Sequence, residues 1–228
     1  MKIGAAVLVF SLVSITPALV MGTTIAQWTF ESTVPSTAGP FSPEIGGGIG
    51  TASHSDISTV YSNPAGNGST ESWSANYWNV GDYFQFQVST MGYMDITVSW
   101  DQYRSATAPA TWDFAYRVNG VNFTVAMDNY SPSASAWSSG SSNAVAKVVL
   151  DLSGVSDLAN ATSVYFRIVA DSSASGTGGA SRIDNFAVTG THIPDSTSGI
   201  VCLGCSLGLL AVLRRISSAS STLLKKHA

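Results

Sequence analysis

The sequence WDFAYRVNGVNFTVAM, residues 112–127, contains the clearest local structure in the chain. Apolar and polar side chains alternate on both sides of the dipeptide Asn119-Gly120. An Asn-Gly pair between two alternating runs is a strong signal for a β-hairpin, because both residues tolerate the positive φ of a type I′ turn. The stretch therefore predicts two antiparallel strands, at residues 112–118 and 121–127.

The same alternation dominates the chain from residue 23 onward, and no convincing amphipathic helix is found. It predicts strands at residues 25–31, 81–89, 93–102, 145–152, 163–170 and 182–189, with weaker candidates at 57–61 and 72–79. In residues 93–102 the predicted inward set is Met94, Ile96, Val98 and Trp100, and the solvent-facing set is Asp95, Thr97, Ser99 and Asp101. Eight to ten short strands separated by Gly/Ser/Asn-rich loops indicate an all-β fold, an antiparallel β-sandwich of the jelly-roll type.

Three long loops interrupt this pattern, at residues 32–56, 128–144 and 171–181. The first contains Gly46-Gly47-Gly48-Ile49-Gly50, which is too irregular for a phosphate-binding loop. We interpret it as a flexible loop.

The two ends of the chain differ from its middle. Residues 1–22 combine Lys2, an apolar stretch and small residues before Gly22, which is typical of a secretory signal peptide. Residues 23–190 form one predicted β-sandwich ectodomain, 191–199 a polar linker, 200–213 a short transmembrane helix and 214–228 a basic cytoplasmic tail. An apolar run of 14 residues rises roughly 21 Å as a helix, so it spans a bilayer only marginally.

The predicted ectodomain is acidic and contains no cysteine. Between residues 23 and 190 there are five Lys and Arg side chains against 13 carboxylates, a net charge of −8. A surface this acidic is repelled by phosphate backbones, so nucleic acid is excluded as a partner. The only cysteines, Cys202 and Cys205, lie inside the apolar run, where a thiolate is costly; we interpret them as ordinary helix residues, with acylation as the alternative.

The motif Ile193-Pro194-Asp195-Ser196, the apolar run and the arginines Arg214 and Arg215 form a three-part tail. This tail resembles a PEP-CTERM-type sorting signal, in particular the variant whose motif reads Val-Pro-Asp-Ser-Gly. It departs from that variant because Thr197-Ser198 precede the expected glycine and because the chain runs 13 residues past Arg215. The alternative is a plain tail anchor, held by the same basic residues.

The resemblance implies a partner and a location. An exosortase-like membrane protease would cut at the motif and then release or attach the protein, often beside exopolysaccharide. The route that the resemblance implies is export across the inner membrane of a Gram-negative bacterium, a transient membrane anchor, and then the cell surface or the medium.

Two phrases, Trp28-Thr29-Phe30-Glu31 and Ile183-Asp184-Asn185-Phe186, resemble the first and last strands of jelly-roll carbohydrate-binding modules. The resemblance implies that these strands lie together and that Glu31 and Asp184 bind a structural Ca²⁺. Calcium needs several carboxylate and carbonyl oxygens at one point. By strict alternation Asp184 shares a face with Phe186 and Val188, while Glu31 reaches the site only from a bulge or from beyond its strand. The alternative is a salt bridge from Asp184 to Arg182 or another arginine, and a solvated Glu31.

The aromatic residues suggest a second kind of site. Trp28 and Trp100 fall on inward faces and are predicted to be core residues. Polar, weakly patterned segments hold the candidates for exposed glycan contacts, which are Trp73, Tyr77, Trp78 and Trp137.

Catalysis has little support in the sequence. The ectodomain has one histidine, His54, and no serine lies in a nucleophile-elbow sequence. We therefore expect a non-enzymatic surface or matrix protein associated with exopolysaccharide. A carbohydrate-binding module is the first alternative and a secreted glycan hydrolase, which needs two carboxylates across a cleft, is the second.

Overall fold

The computed structural model describes residues 22–120, 122–176 and 178–194. The expected signal peptide, the apolar run 200–213 and the basic tail lie outside these residues. The described residues form twelve strands, all paired antiparallel. Their bounds are β1 Thr23–Trp28, β2 Ile45–Gly46, β3 Gly48–Ser53, β4 Tyr61–Ser62, β5 Trp73–Ala75, β6 Tyr83–Val88, β7 Tyr93–Arg104, β8 Trp112–Val118, β9 Thr124–Tyr130, β10 Lys147–Asp151, β11 Val164–Ala170 and β12 Ser181–His192. Two short 3₁₀ helices, Ala144–Ala146 and Ser156–Leu158, flank β10.

The strands form two sheets, which confirms the predicted β-sandwich. The large sheet has seven strands in the order β10-β7-β12-β1-β2, with β5 paired to the start of β12 and β4 paired to β5. The small sheet has five strands in the order β3-β6-β11-β8-β9. The first and last strands pair with each other, β1 along its whole length and β12 over Phe186–Gly190, as the resemblance implied.

Aromatic rings from both sheets fill the space between them. Phe86 of the small sheet stacks on Phe186 of the large sheet, with ring centroids 3.6 Å apart and planes at 9°. Trp100 stacks on Phe114 at 4.8 Å. All four side chains are fully buried, and burial of such a side chain contributes about 1.5–3 kcal/mol. The prediction that Trp28 and Trp100 are core residues is confirmed.

The predicted hairpin is present but its second strand begins later. Asn119 has φ 47° and Gly120 has φ 85°, as a type I′ turn requires, and β8 pairs with β9. Strand β9 begins at Thr124, three residues beyond the predicted start.

The interpretation of residues 46–50 as a flexible loop is wrong. Gly48–Ser53 forms β3, an edge strand of the small sheet that pairs with β6. A Cβ atom on Gly48 would lie 2.5 Å from the carbonyl oxygen of Gln87 and 2.8 Å from Cη2 of Trp28. The glycine is there because the backbone approaches its neighbours closely, and not because the segment is a loop.

Strand β7 departs from the predicted alternation at both ends. Asp95 has φ 53°, and β12 shifts register opposite it, so Met94 is 37% exposed and Tyr93 packs against the core instead. Asp101, which was predicted to face water, is only 7% exposed. Loops that cover the outer face of the large sheet bury it, and such coverage cannot be read from a strand's own pattern.

Candidate functional site

The outward-facing side chains of the small sheet form the most distinctive polar surface among the described residues. Every second residue of β6 and β11 is buried in the core, and the residues between them are half-buried on the opposite face. In β8, Asp113 and Arg117 are half-buried on that same face, while Ala115 is buried. We call this surface the outer face of the small sheet. The register aligns its side chains in three rows: Ile49, Gln87, Tyr165 and Arg117; Thr51, Gln85, Arg167 and Ala115; and Ser53, Tyr83, Val169 and Asp113.

Three aromatic rings and two guanidinium groups alternate across this face. The Cζ atom of Arg167 lies 3.7 Å from the ring centroid of Tyr83 and 3.9 Å from that of Phe123. Cζ of Arg117 lies 4.8 Å from the Phe123 centroid and 4.2 Å from that of Tyr165. The sequence of contacts is thus Tyr83, Arg167, Phe123, Arg117, Tyr165, which we call the ring–guanidinium ladder. Each contact contributes about 0.5–1 kcal/mol at a partly exposed site, so the ladder holds both guanidinium planes in place.

Amide side chains beside the ladder are also fixed. Nε of Arg167 donates to Oε1 of Gln85 at 2.8 Å, and Nε2 of Gln85 donates to Oγ1 of Thr51 at 3.4 Å. Nε2 of Gln87 donates to Oγ of Ser163 at 3.2 Å. Donors and acceptors on this face are therefore oriented before any ligand arrives, which lowers the entropy cost of binding.

The ladder carries positive charge with little compensation. Among the residues that the structure describes, the one ion-pair contact is between His54 and Asp82, so neither arginine of the ladder has a carboxylate within 4.0 Å. The pKa of Arg167 is lowered, chiefly by burial and in part by the nearby charge of Arg117. Asp113 lies in the third row, and burial raises its pKa; the neighbouring carboxylates Asp171 and Asp128 add to this increase, and a hydrogen bond from the N–H of Asn129 opposes it.

The aromatic residues predicted to contact glycan lie elsewhere, and the prediction of exposure is wrong for three of them. The exposed fractions are 0% for Trp73, 1% for Trp78 and 7% for Trp137. Trp78 packs edge-on against Phe84 and Trp73 packs against it at a tilt, while Trp137 lies beside Tyr103 and under Arg182. The loop after β1 covers Trp73, whose Nε1 donates to the carbonyl of Thr37, so the polarity of the flanking sequence was a poor guide to its exposure.

Tyr77 is the exception among these four residues. It is half-buried, has φ 56°, and lines a cavity of about 280 Å³ together with Asp56 and Ser175. This cavity lies among loops at one end of the sandwich and is separate from the ladder.

The two predicted calcium ligands hold the same loop, residues 66–71. The main-chain N–H groups of Thr70 and Glu71 donate to the carboxylate of Glu31, at 3.2 and 2.7 Å. Asp184 is fully buried, and its Oδ2 accepts from the N–H of Asn67 at 2.8 Å and from Oγ of Ser69 at 2.7 Å.

The third donor to Asp184 is the N–H of Asn185, at 2.7 Å from Oδ1. Burial is the main reason why the pKa of Asp184 is raised to about 6; the three hydrogen bonds oppose the increase and the charge of Asp101 adds to it. These donors satisfy the buried carboxylate without a cation. The described residues include no group of three His, Cys, Asp or Glu side chains arranged for a metal. The calcium site therefore stays a prediction.

The expectation that Asp184 shares a face with Phe186 and Val188 is wrong. The register of β12 shifts after Asp184, where Asn185 adopts φ 52°, a conformation that Asn tolerates better than most residues. Asp184 pairs with Asp101 on the outer side of the large sheet, whereas Phe186 and Val188 belong to the core. Glu31 reaches the loop from beyond the end of β1, after a bend at Phe30, which has φ 60°.

Next to the paired residues Asp101 and Asp184, a polar cavity of about 460 Å³ opens on the large sheet. Asp101, Asn143, Lys147 and Asn185 line it, together with Gln27, but Asp184 does not. Nδ2 of Asn185 donates to Oδ2 of Asp101 at 2.9 Å. Only one carboxylate of the pair reaches the cavity, and the predicted salt bridge from Asp184 to Arg182 is absent from the described residues.

His54 is buried against the ring of Trp78, with centroids 4.0 Å apart. Its side chain is 2% exposed, and Nδ1 lies 3.5 Å from Oδ2 of Asp82, too far for a good hydrogen bond. Burial lowers the pKa of His54 to about 4, although the charge of Asp82 acts in the opposite direction. Desolvation also raises the pKa of the adjacent Tyr61 to about 12.

The predicted sorting motif begins directly after the last strand. Strand β12 continues to His192, beyond the predicted start of the linker, and the N–H of Ile193 donates to the carbonyl of Gly92 at 2.8 Å. Pro194 is the last described residue; Asp195, Ser196, the cysteines Cys202 and Cys205, and the arginines Arg214 and Arg215 lie outside the described residues. No helix within residues 22–194 has the length and apolar character needed to cross a membrane.

Sequence reasoning missed the whole ring–guanidinium ladder. Part of the signal was present in the strand patterns, because the residues between core positions are Tyr83, Gln85 and Gln87 in β6 and include Arg117 in β8 and Tyr165 and Arg167 in β11. Which outward residues meet across strands depends on the pairing register, which no single strand determines.

Comparisons with known proteins give similarities of general architecture. Neither a protein-family model nor a curated protein matches the chain. The CBM22-1 xylan-binding domain of Xyn10C from Paenibacillus barcinonensis is 12% identical with a TM-score of 0.44, over 78% of this chain and 100% of that domain. The K1 cleaved adhesin domain of Lys-gingipain from Porphyromonas gingivalis is 13% identical, with a TM-score of 0.44 over 75% and 99% of the two chains.

A third similar structure is the carbohydrate binding module CBM6cm-2 of lichenase 5A from Cellvibrio mixtus. It is 13% identical with a TM-score of 0.34, over 75% of this chain and 100% of that module. At these identities and TM-scores, the similarity concerns the arrangement of strands and not a binding site.

Proposed function

We propose that this protein is an exported, non-catalytic surface protein that binds polysaccharide on the outer face of the small sheet. The observation that carries the proposal is the ring–guanidinium ladder with its flanking glutamines. A glycan presents hydroxyl groups that need donors and acceptors, and C–H faces that pack on apolar surface. The amides of Gln85 and Gln87, the two guanidinium groups and the ring edges offer both in one plane.

A binding role suits this face better than a catalytic one. Hydrolysis of a glycosidic bond by the usual route needs two carboxyl groups on either side of the bond. Of the aligned side chains of the face, only Asp113 is a carboxylate. The polar cavity on the large sheet has Asp101 in its lining, while Asp184 lies buried behind it with its oxygens engaged.

In this proposal the C-terminal tail determines where in the cell envelope the binding domain is found. In this proposal an exosortase-like protease reads the motif at residues 193–196, and the ectodomain is left at the cell surface or in the medium. Because the motif follows β12 with no intervening spacer, the protease would meet it close to the folded domain. Extracellular polysaccharide is then the material that the domain contacts.

A panel of immobilised neutral and acidic polysaccharides tests the binding proposal. The full-length chain, held in a polyoxyethylene detergent that carries no sugar, should bind at least one member. The variants Tyr165→Ala and Gln87→Ala should each weaken that binding by roughly two- to tenfold, since loss of a hydrogen bond worth about 0.5–1.5 kcal/mol changes affinity by that factor.

The variant Tyr77→Ala is the matched control, because it removes a half-buried tyrosine outside the face. Unchanged binding by Tyr77→Ala together with weak binding by Tyr165→Ala supports the proposed face. Loss of binding in Tyr77→Ala alone would move the site to the cavity among the loops. Absence of binding to every polysaccharide would contradict the proposal.

A structural calcium ion at Glu31 and Asp184 remains part of the proposal. It would have to replace some of the N–H donors that now contact these carboxylates. If calcium binds there, millimolar CaCl₂ should raise the melting temperature relative to EDTA, because a ligand that binds only the folded state stabilises it by RT ln(1 + [L]/Kd). The variant Glu31→Gln should abolish the increase, while MgCl₂ serves as the control. An identical melting temperature in calcium and EDTA would contradict the site.

A further inference from the structure

We infer that the outer face of the small sheet selects acidic polysaccharides whose carboxylates are spaced along an otherwise neutral chain, with Arg117 and Arg167 as the carboxylate-binding residues. The inference rests on the proposed glycan-binding function and adds the chemical class of the ligand. Four features of the face carry it.

The first feature is the local excess of positive charge. Residues 23–190 hold five Lys and Arg side chains against 13 carboxylates, and two of those five cations occupy the ladder. Within the described part of the chain no carboxylate lies within 4.0 Å of either guanidinium. Two unpaired arginines side by side repel each other, so an anion placed at both would relieve that repulsion.

The second feature is the way the guanidinium groups are held. The rings of Tyr83 and Phe123 lie against Arg167, and those of Phe123 and Tyr165 lie against Arg117. The ring surfaces are therefore occupied by guanidinium planes, which leaves less ring surface for a sugar to stack on. A stacked guanidinium keeps its N–H groups at its edge, in the fork that matches a carboxylate.

The third feature is unused hydrogen-bonding capacity. Nε of Arg117 is buried and has no acceptor among the described residues, as is also true of Nε of Arg104 and Arg182, whereas Nε of Arg167 is bonded to Gln85. A buried donor without a partner is uncommon in folded proteins. Of the two arginines in the ladder, Arg117 therefore keeps more hydrogen-bonding capacity that the fold does not use.

The fourth feature limits the charge density of the ligand. The net charge of −8 over residues 23–190 and the carboxylates of Asp113, Asp128 and Asp171 at the far end of the face repel a densely charged polymer. A polymer with isolated acidic residues can place one carboxylate at the arginines and neutral sugars beside Gln85 and Gln87. Glucuronoxylan has this pattern and polygalacturonate does not, so these two polymers serve as probes.

Glucuronoxylan and the same polymer after chemical reduction of its carboxyl groups form a matched pair of ligands. Binding of the full-length chain to each is measured by affinity electrophoresis in polyoxyethylene detergent. We expect carboxyl reduction to weaken binding by about tenfold or more, since a charge-assisted pair is roughly twice as strong as a neutral hydrogen bond. Polygalacturonate should bind more weakly than glucuronoxylan at low salt.

Variants with equal charge change separate the site from general electrostatics. Arg117→Gln and Arg167→Gln should each bind both forms of the polymer equally, at the level of the reduced form. Lys147→Gln removes one exposed positive charge on the large sheet and should leave the preference intact. Arg117→Lys keeps the charge but not the planar fork, and it should lose part of the preference; melting curves identify any variant that fails to fold.

Each outcome has a distinct meaning. Equal binding of the acidic and reduced polymers by the unmodified chain overturns this inference but leaves the proposed glycan binding intact. An equal loss in Lys147→Gln and Arg117→Gln also overturns it, because net charge alone would then explain the preference. Binding to neither polymer nor to any other polysaccharide overturns the proposed function as well.

Discussion

At the scale of single residues, two buried titratable groups change the free energy of unfolding in opposite directions as the pH falls. Burial raises the pKa of Asp184 to about 6 and lowers that of His54 to about 4. Asp184 binds its proton more readily in the folded state, so its contribution to stability is fully present below pH 3.8 and is lost as the pH rises through 6. His54 binds its proton less readily when folded, so its contribution is present above pH 6.5 and is lost as the pH falls towards 4.

We therefore expect the two contributions largely to cancel between pH 4 and 6, and single variants to reveal them. In His54→Gln the free energy of unfolding should rise relative to the unmodified chain as the pH falls from 6 to 4, by up to about 3 kcal/mol. In Asp184→Asn the free energy of unfolding should fall relative to the unmodified chain as the pH falls from 6.5 to 4, by a similar amount. Urea denaturation at half-unit pH steps measures both slopes.

The unmodified chain supplies the reference profile for this experiment. If the profiles of His54→Gln and Asp184→Asn are both parallel to it, neither group has the burial-shifted pKa assigned here. Asp82 and Asp101, which adjoin His54 and Asp184, are unchanged in both comparisons.

At the scale of secondary-structure elements, the edge strand β3 depends on one glycine. A Cβ on Gly48 would contact the carbonyl oxygen of Gln87 and the ring of Trp28 at 2.5 and 2.8 Å, while a Cβ on the adjacent Gly47 meets nothing within 4 Å. Backbone and a buried tryptophan have little freedom to move aside. The two neighbouring positions are therefore expected to respond very differently to the same substitution.

We expect Gly48→Ala to lower the free energy of unfolding by about 1–3 kcal/mol, the usual cost of overpacking. Gly47→Ala should change it by less than about 0.5 kcal/mol, as at an open surface position. Chemical denaturation of both variants makes the comparison. Equal effects would contradict the pairing of β3 with β6 and favour the flexible loop that the glycine-rich sequence suggested.

At the scale of the whole molecule, the C-terminal tail is proposed to determine where the domain meets its ligand. Strand β12 ends at His192, Ile193 is still bonded to Gly92, and the proposed sorting motif follows immediately. If the tail is a processed signal, mature chains from the native host should end within residues 193–198. Peptide mapping of the surface and culture fractions measures this directly.

The peptide that ends in Lys225-Lys226-His227-Ala228 serves as the internal control for that mapping. Its persistence on membrane-bound chains would identify the tail as a plain anchor and contradict the sorting proposal. The glycan-binding proposal does not depend on this result, because the ladder belongs to the described domain and is tested separately.

The sequence by itself determined the β-sandwich and the inward faces of several strands, because strand alternation and the Asn119-Gly120 turn are local properties. It placed Trp28 and Trp100 inside and set Glu31 and Asp184 near paired first and last strands. It failed at Gly48, at Asp184 and at Trp73, where close backbone approach, a shifted register and covering loops decide the outcome. The ladder of Tyr83, Arg167, Phe123, Arg117 and Tyr165 depended on tertiary structure, because pairing register and loop position bring together side chains as far apart in sequence as Tyr83 and Arg167.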